Sequence, residues 1–528
     1  MQQESREQRC RNVLFIMCDQ LRADYLSCYG HPNLRTPSID ALAARGVRFD
    51  RAYAQSAVCV PSRMSFYTGR YVSSHGTTWN HVPFPVSQIT LGDHLRRAGI
   101  LATLAGKTHV IPDHEGLARF GVDPGSAGGQ LLLEGGFEEF DRYDGHAPPG
   151  SESGYGDYLR RHGYDSKDPW NDFVVSAHDE RGARVSGWWL RNAHLPALVG
   201  EEHSETAYMT DRAIEFIRAQ GERQWVLHLS YIKPHWPLMA PAPYHKMYRD
   251  ADCGRILRAD PVSENPHPVL TAYRTSHEDC LTYAQEGVVR HVRPTYMGLI
   301  RQVDDHLGRL IAELERLGRM RDTLIIFTSD HGDHLGDHGL GEKELFYEQA
   351  VRIPLVVYDP DERAGPTRGR TEASLVEAID VVPTLLECLG LEVPAHLVEG
   401  QSLVPLLRGG APGRTRDFVV SELDYSFRNA RVALGRGPGE CRAWMVRTAR
   451  WKYVHYQGMR AQLFDLDNDP FEFVDRGADA GLENERRQMR ERLTDWFTSL
   501  KNRTTVDHAY VERRTEDHRR NNVHIGVW

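Results

Sequence analysis

The stretch Asn12-Val13-Leu14-Phe15-Ile16-Met17-Cys18-Asp19 decides how this chain is built. Its apolar run does not alternate with polar residues. A strand of this kind is covered on both faces, as in a parallel sheet between layers of helices. Residues 323–329, TLIIFTS, have the same texture and run into Asp330. Ligand sites of parallel α/β sheets lie beyond the carboxyl ends of the strands, and Asp19 and Asp330 both stand there.

Working outward, Thr36-Pro37 predicts a helix through Arg45, with Thr36 as cap, Pro37 in the first turn and Gly46 as the stop. Pro61 fits the first turn of a second helix that runs to Thr68, its positive end facing Cys59. Further helices are expected over 91–98, 204–220, 295–317 and 376–389, and strands over 100–104, 225–231 and 353–358. Helices alternating with apolar strands predict an α/β protein with a large mixed, mainly parallel sheet sandwiched by helices. Residues 110–200 and 240–290 are rich in loop formers and read as excursions over the site. The texture changes after residue 400. Residues 443–457 alternate like a half-exposed strand, 462–470 run from strand to turn, and 483–500 read as a helix. The expected division is a catalytic domain at 1–400, an antiparallel sheet plus helix at 401–500, and a tail at 501–528. The apolar tail end, Val523 to Trp528, is expected to pack on the body or on a second subunit.

The 528 residues are 40% apolar and 26% charged, ordinary for a soluble globular chain. The 64 basic and 73 acidic residues leave a net charge of −9, which gives no reason to expect a nucleic-acid partner. The apolar run at 13–18 is too short for a signal core or a membrane span, so a cytoplasmic chain without a membrane partner is expected. Eight cysteines lie scattered without a CxxC pair, which signals neither a zinc ribbon nor a disulfide framework.

Asp19-Gln20 and Ser329-Asp330-His331-Gly332 bring carboxylates and one imidazole to strand ends. Oxygen ligands alone suit Ca²⁺; adding His331 moves the preference toward Mn²⁺ or another first-row ion. Residues 330–339, DHGDHLGDHG, also invite a multi-metal reading, against which His334, Asp337 and His338 serve simply to shape the loop.

Cys59-Val60-Pro61-Ser62-Arg63 is followed by Thr68-Gly69-Arg70. Asp19, this segment, Gly106-Lys107-Thr108-His109, Lys233-Pro234-His235-Trp236-Pro237, Asp330-His331-Gly332 and Lys343 come in that order. In this the chain resembles the type I sulfatases of the alkaline phosphatase superfamily over residues 12–500, and the closing LFDLDNDPFE at 463–472 is similar too. The segment Pro243 to Tyr248, the Asp330-His331 pair and the NRT tail from Asn502 resemble the arylsulfatase and phosphonate monoester hydrolase branch.

The resemblance implies an alkaline-phosphatase-like fold and a sulfatase that acts on small anionic esters. It implies that a separate installing enzyme oxidises Cys59 to formylglycine (3-oxoalanine), whose hydrated aldehyde carries the nucleophilic hydroxyl. Asp19, Cys59, Asp330 and His331 would hold one divalent metal, Ca²⁺ or Mn²⁺. Arg63 would steady the diol and the carboxylates, and Lys107 and Lys343 would grip the nonbridging oxygens. His235 would protonate the leaving oxygen and His109 would serve the second proton transfer. Gln20, Asn80 and Thr108 would face the substrate. Family habit implies a homodimer or homotetramer. Gln20 replaces an aspartate of many sulfatases and removes one negative charge. Lys107 and His109 replace uncharged residues of phosphonate monoester hydrolases, which favours sulfate monoesters as the main substrate and phosphonate monoesters or phosphodiesters as side activities. Two other readings stand beside it: a catalytically dead binder of sulfated ligands, and a two-zinc phosphatase, which would need a Ser or Thr nucleophile and more histidines. Trp79, Tyr155 and Trp236 are candidates for an aryl pocket or for ordinary packing.

Overall fold

The computed structural model describes residues 10–145, 154–259, 266–410, 416–515, 517–524 and 526. Its strands are β1 (Asn12–Asp19), β2 (Val47–Tyr53), β3 (Ala102–Gly106), β4 (Glu138–Arg142), β5 (Ser176–His178), β6 (Arg184–Ser186), β7 (Val226–Pro234), β8 (Thr323–Ser329), β9 (Arg352–Tyr358), β10 (Arg370–Glu377), β11 (Phe418–Asp424), β12 (Arg442–Thr448), β13 (Trp451–Tyr456) and β14 (Gln462–Asp465). Eight of them form one sheet in the order β10-β2-β9-β8-β1-β7-β3-β4. β1 is parallel to both neighbours, with Leu14 opposite Leu227 and Ile325. β9 alone opposes its neighbours, β2 and β8, so the sheet is mixed and mainly parallel as expected.

The apolar run of β1 has a direct structural cause. Leu14, Ile16 and Cys18 enter one core layer with Leu299, Val303 and Leu307 of the helix Glu286–Arg316. Val13, Phe15 and Met17 enter the opposite layer with Met64 and Tyr67 of the helix Cys59–Thr68, and with Val382 and Leu385. Each such side chain gains roughly 1.5–3 kcal/mol from burial. A polar residue on either face would lose that gain.

The elements differ from the expectation in several places. The helix expected to begin at Thr295 starts at Glu286 and runs through Pro294, because Val289 and Val292 already bury below the proline. Residues 376 and 377 close strand β10, and the helix begins only at Val381. Thr36 precedes the helix Pro37–Arg45 but does not cap it; its Oγ1 accepts from the Ser27 peptide N–H at 3.1 Å. The excursion at 110–200 is more than loop. It contributes β4, the edge strand of the main sheet, and the hairpin β5–β6.

The second sheet, β11-β12-β13-β14, is antiparallel throughout. Its expected single strand at 443–457 is a hairpin of β12 and β13. Met489 and Trp496 of the helix Glu483–Ser499 pack on Val420, Val446 and Leu463 of this sheet. β11 also joins it to the main body, where the Glu422 peptide N–H donates to the Gln55 carbonyl at 2.7 Å and that of Val420 to Glu377 at 2.8 Å. In the tail, residues 507–509 line a groove with His94, Leu386 and Pro394, and Val523 is 44% exposed. Residues 525, 527 and 528 of the apolar tail end lie outside the described residues. Among the described residues, no helix is long and apolar enough to cross a membrane.

Candidate active site

Four neighbouring parallel strands deliver their carboxyl ends to one crevice. In spatial order, β3 leads to Lys107, β7 to His235, β1 ends on Asp19, and β8 passes into Asp330 and His331. The helix Cys59–Thr68 points its amino end at the same place. Cys59 is its first residue rather than a group lying off its end, and it is 1% exposed. The Val58 cap position has no side-chain acceptor, so Asn80 supplies one: its Oδ1 accepts the Val60 peptide N–H at 2.9 Å. Ser62 Oγ donates to the Asp330 carbonyl at 2.6 Å. Gly69 ends the helix in the left-handed region, φ 66°, where a Cβ would meet Val398 and Val382 at 3.0 and 3.1 Å. Gly332 serves closeness rather than turning. A Cβ there would lie 1.9 Å from the Gln349 carbonyl oxygen.

Arg63 is fully buried and organises the crevice. Its Nε lies 2.8 Å from Asp330 Oδ2 and its Nη2 3.1 Å from Asp19 Oδ2. Its Nη1 donates to the Lys107 carbonyl and to Ser230 Oγ, both at 2.9 Å. Lys107 Nζ adds a second cation on Asp19 Oδ2 at 2.7 Å. The other oxygens turn inward. Asp19 Oδ1 lies 3.9 Å from Cys59 Sγ and 3.8 Å from His331 Nε2. Asp330 Oδ1 accepts the peptide N–H groups of Gln20 and His331, at 3.0 and 2.9 Å, and lies 3.7 Å from His331 Nε2. His331 Nδ1 donates to the Gly332 carbonyl at 2.9 Å, which turns Nε2 to Cys59 Sγ at 3.1 Å.

One ligand atom from each of Asp19, Cys59, Asp330 and His331 lies within 4.8 Å of all the others. Two carboxylate oxygens, an imidazole nitrogen and the residue-59 side chain, where Sγ occupies the place of an oxygen after conversion, fit one divalent cation. Electrostatics agree. Burial pushes the Asp19 carboxyl up, but Lys107, His235, Arg63 and His331 outweigh it and hold it well below the usual range. Burial and Asp19 push the Cys59 thiol up, and Lys343 and His331 more than reverse this. Burial pulls His331 down, yet Asp330 and Cys59 raise it to about 9. The crevice thus draws positive charge to its centre.

A cationic arc closes the opposite side. Gln20, in the left-handed region at φ 65°, accepts from Lys343 Nζ at 2.9 Å through Oε1 and donates to Asp333 through Nε2. Lys343 Nζ also donates to His235 Nε2 at 3.0 Å, while His235 Nδ1 donates to the Trp236 carbonyl at 2.8 Å. His235 Nε2 lies 3.8 Å from Asp19 Oδ1, so this histidine and the metal-ligand cluster share one cavity wall.

A family model described as Sulfatase matches residues 11–391, and one described as N-sulphoglucosamine sulphohydrolase, C-terminal, matches 336–499. The chain belongs to the sulfatase family. It is a hydrolase of the alkaline phosphatase superfamily. It is 32% identical over 521 residues to the multifunctional alkaline phosphatase superfamily protein PehA of Trinickia caryophylli, covering 94% of this chain and 96% of that one. It is 28% identical to an arylsulfatase of Clostridium perfringens, over 88% of this chain and 89% of the other. Among solved structures, the phosphonate monoester hydrolase of Silicibacter pomeroyi matches with a TM-score of 0.82 at 29% identity, over 94% of this chain and 96% of that one.

In this sulfatase the remaining expected residues are placed as follows. Asn80 uses its side-chain oxygen to cap the helix of Cys59. Thr108 turns its hydroxyl to Glu134 Oε2 at 2.9 Å. His109 follows in the left-handed region, φ 56°, with its peptide N–H on Asp144 at 3.4 Å. The DHGDHLGDHG loop forms no second metal group among the described residues. Asp337 is held by Arg22 at 2.8 Å and Arg293 at 2.6 Å, and His338 stacks on Tyr347 at 3.9 Å. Tyr155 is wholly buried and Trp79 nearly so, whereas Trp236 is half-buried beside His235. Ser230 and Glu134 escaped the sequence reading, and Asp333 entered it only as part of the multi-metal reading of its loop, not as a partner of Gln20. Each acts on a site residue far away in sequence, and no spacing rule announces such a contact.

Proposed function

We propose that this sulfatase hydrolyses sulfate monoesters, with formylglycine at position 59 as the nucleophile and one Ca²⁺ or Mn²⁺ ion per chain. What supports the reading is the convergence of Asp19, Cys59, Asp330 and His331 on one point ringed by Arg63, Lys107 and Lys343. A cation held by those four residues supplies Lewis-acid activation of the attacking hydroxyl and of the ester oxygens.

The chain's own residues do the rest. Arg63 fixes both carboxylates by their outer oxygens and so aims their inner oxygens at the centre. Lys107 and Lys343 hold the nonbridging oxygens and offset charge as it builds in the transition state, each such contact being worth about 3–4 kcal/mol. His235 serves as the acid for the leaving oxygen once its Nε2, which accepts from Lys343 Nζ here, has taken up a proton, and His109 takes the proton of the second half-reaction. Gln20, Asn80 and Thr108 serve the substrate side of the site, while Asn80 also caps the helix of Cys59 and Thr108 also binds Glu134. The unpaired cysteines, buried except for the half-buried Cys28, suit a cytoplasmic protein. The remaining parts of the reading are a separate enzyme that converts Cys59, a homodimer or homotetramer, and a catalytic domain at 1–400 followed by a subdomain at 401–500 and a tail at 501–528.

A second reading keeps the machinery and changes the substrate. Similarity to two phosphonate monoester hydrolase structures, with TM-scores of 0.82 and 0.78, favours phosphonate monoesters or phosphodiesters. Lys107 inside the cluster favours sulfate instead. Turnover of 4-nitrophenyl sulfate and of 4-nitrophenyl phenylphosphonate on one preparation decides between them. The expected result is a higher kcat/KM for the sulfate; the reverse order overturns the assignment.

A further inference from the structure

Lys343 is presented by a turn that a chain does not adopt readily. The residues on either side of it, Glu342 and Glu344, both have a left-handed backbone, φ 55° and 94°. A residue bearing a Cβ keeps that conformation only where its surroundings hold it. One hold is local: the His334 peptide N–H donates to the Glu342 carbonyl at 2.6 Å. Another is close packing, since a Cβ at Gly341 would lie 2.6 Å from the Asp279 carbonyl oxygen. A third comes from the segment that follows β11.

Arg428 stands on that segment, and its peptide N–H donates to the Tyr425 carbonyl at 3.1 Å. Its side chain reaches the turn. Nε donates to Glu344 Oε1 at 2.6 Å, Nη2 donates to the same oxygen, and Nη2 lies 3.6 Å from Glu342 Oε2. The Glu344 side chain is buried, so this charge-assisted contact is shielded from solvent. The same guanidinium stands over the Trp79 ring, 5.0 Å from its centroid. Trp79 precedes Asn80, which caps the helix of Cys59. One side chain thus engages the two carboxylates that flank Lys343 and the segment that caps the helix of residue 59.

We propose that Arg428, acting through Glu344, is a positioning residue that holds Lys343 where the nonbridging oxygens bind. The proposal rests on the function proposed above, which gives Lys343 that task. A misplacement of about 1 Å at a reacting centre costs up to roughly 10²-fold in rate, so the ion pair gives the second sheet a part in turnover without a contact to substrate.

The test is a double-mutant cycle on the full converted enzyme: wild type, R428A, K343A and R428A/K343A, with kcat and KM measured on 4-nitrophenyl sulfate. R428A is expected to lower kcat about tenfold, with KM within about twofold of wild type. R428K keeps the charge but loses the planar fork, and its kcat should fall between those of wild type and R428A. On the K343A background, R428A is expected to change kcat by less than about twofold, because the group it positions is gone. Urea midpoints show whether each variant is folded under assay conditions, and R428K carries the same cycle if R428A is not. Losses that multiply mark a general structural role, and a loss confined to KM marks a substrate contact. Either result, or an unchanged kcat in R428A, overturns the proposal and leaves the hydrolase reading standing. An undiminished kcat in K343A would instead remove the task given to Lys343, whatever Arg428 does.

Discussion

Two clusters of buried charge lie in this molecule and behave oppositely. At the seam between the sheets, Lys452 sits between Glu472 at 2.6 Å and Glu348 at 2.8 Å, and donates to the Phe346 carbonyl at 2.8 Å. The far oxygens are also engaged, by Tyr53 on Glu348 and by the Glu348 peptide N–H on Glu472. That cation stands between its carboxylates and closes the arrangement. In the crevice, Arg63 stands behind both carboxylates and Lys107 beside Asp19 Oδ2, leaving Asp19 Oδ1, Asp330 Oδ1, His331 Nε2 and Cys59 Sγ turned toward one another. Both clusters are carboxylates largely withdrawn from solvent and held by cations. What separates a working site from a structural one is the direction in which lone pairs remain.

The comparison breaks most sharply at residue 59. C59A is expected to lose roughly 10³-fold or more in kcat on 4-nitrophenyl sulfate while unfolding at the wild-type temperature. Retained turnover would end the covalent reading. Removal of the metal by a chelator is expected to abolish turnover, with recovery on adding Mn²⁺ or Ca²⁺ and one ion per chain in elemental analysis. Two ions per chain would instead revive the two-metal alternative. K343A, on the open side of the crevice, is expected to lose about 10²- to 10³-fold in kcat with little change in stability. K452M addresses the closed cluster. It leaves two carboxylates buried without their cation and is expected to cost about 3–5 kcal/mol of stability, read from the denaturant midpoint, while KM stays unchanged.

The smallest effect concerns a buried carboxylate outside both clusters. Asp304 accepts the peptide N–H groups of Ile39 and Ser38, at 2.8 and 3.2 Å. Burial pushes it up to about 6, against those two bonds. A folded-state pKa above the unfolded one means that the folded chain holds this proton more tightly. The stability of the wild type relative to D304N should therefore rise as pH falls from 7 toward 4. A difference that stays flat over that range would show that Asp304 does not titrate on folding.

Much of the crevice was legible because the parallel sheet writes itself into sequence. Residues of β1 and β8 serve two core layers at once, so both appear as unbroken apolar runs, and Asp19 and Asp330 stand out at their ends. β4 was not legible: its EEFDR sequence lies at the sheet edge, mostly outside the core, and carries no periodic signal. β10 was obscured because its end runs directly into the next helix. The capping of the Cys59 helix by Asn80 was not legible, because it depends on a contact with Val60 that only the folded chain creates.

Every residue from 52 to 70 is buried, and Cys59 lies at the centre of that run. On the proposed conversion, an enzyme acting on this cysteine would need to hold its thiol and the residues beside it, and so would have to meet the segment before β2 and the strand ends close over it. Conversion would then compete with folding, and the active fraction of a preparation would follow the supply of converting enzyme during synthesis.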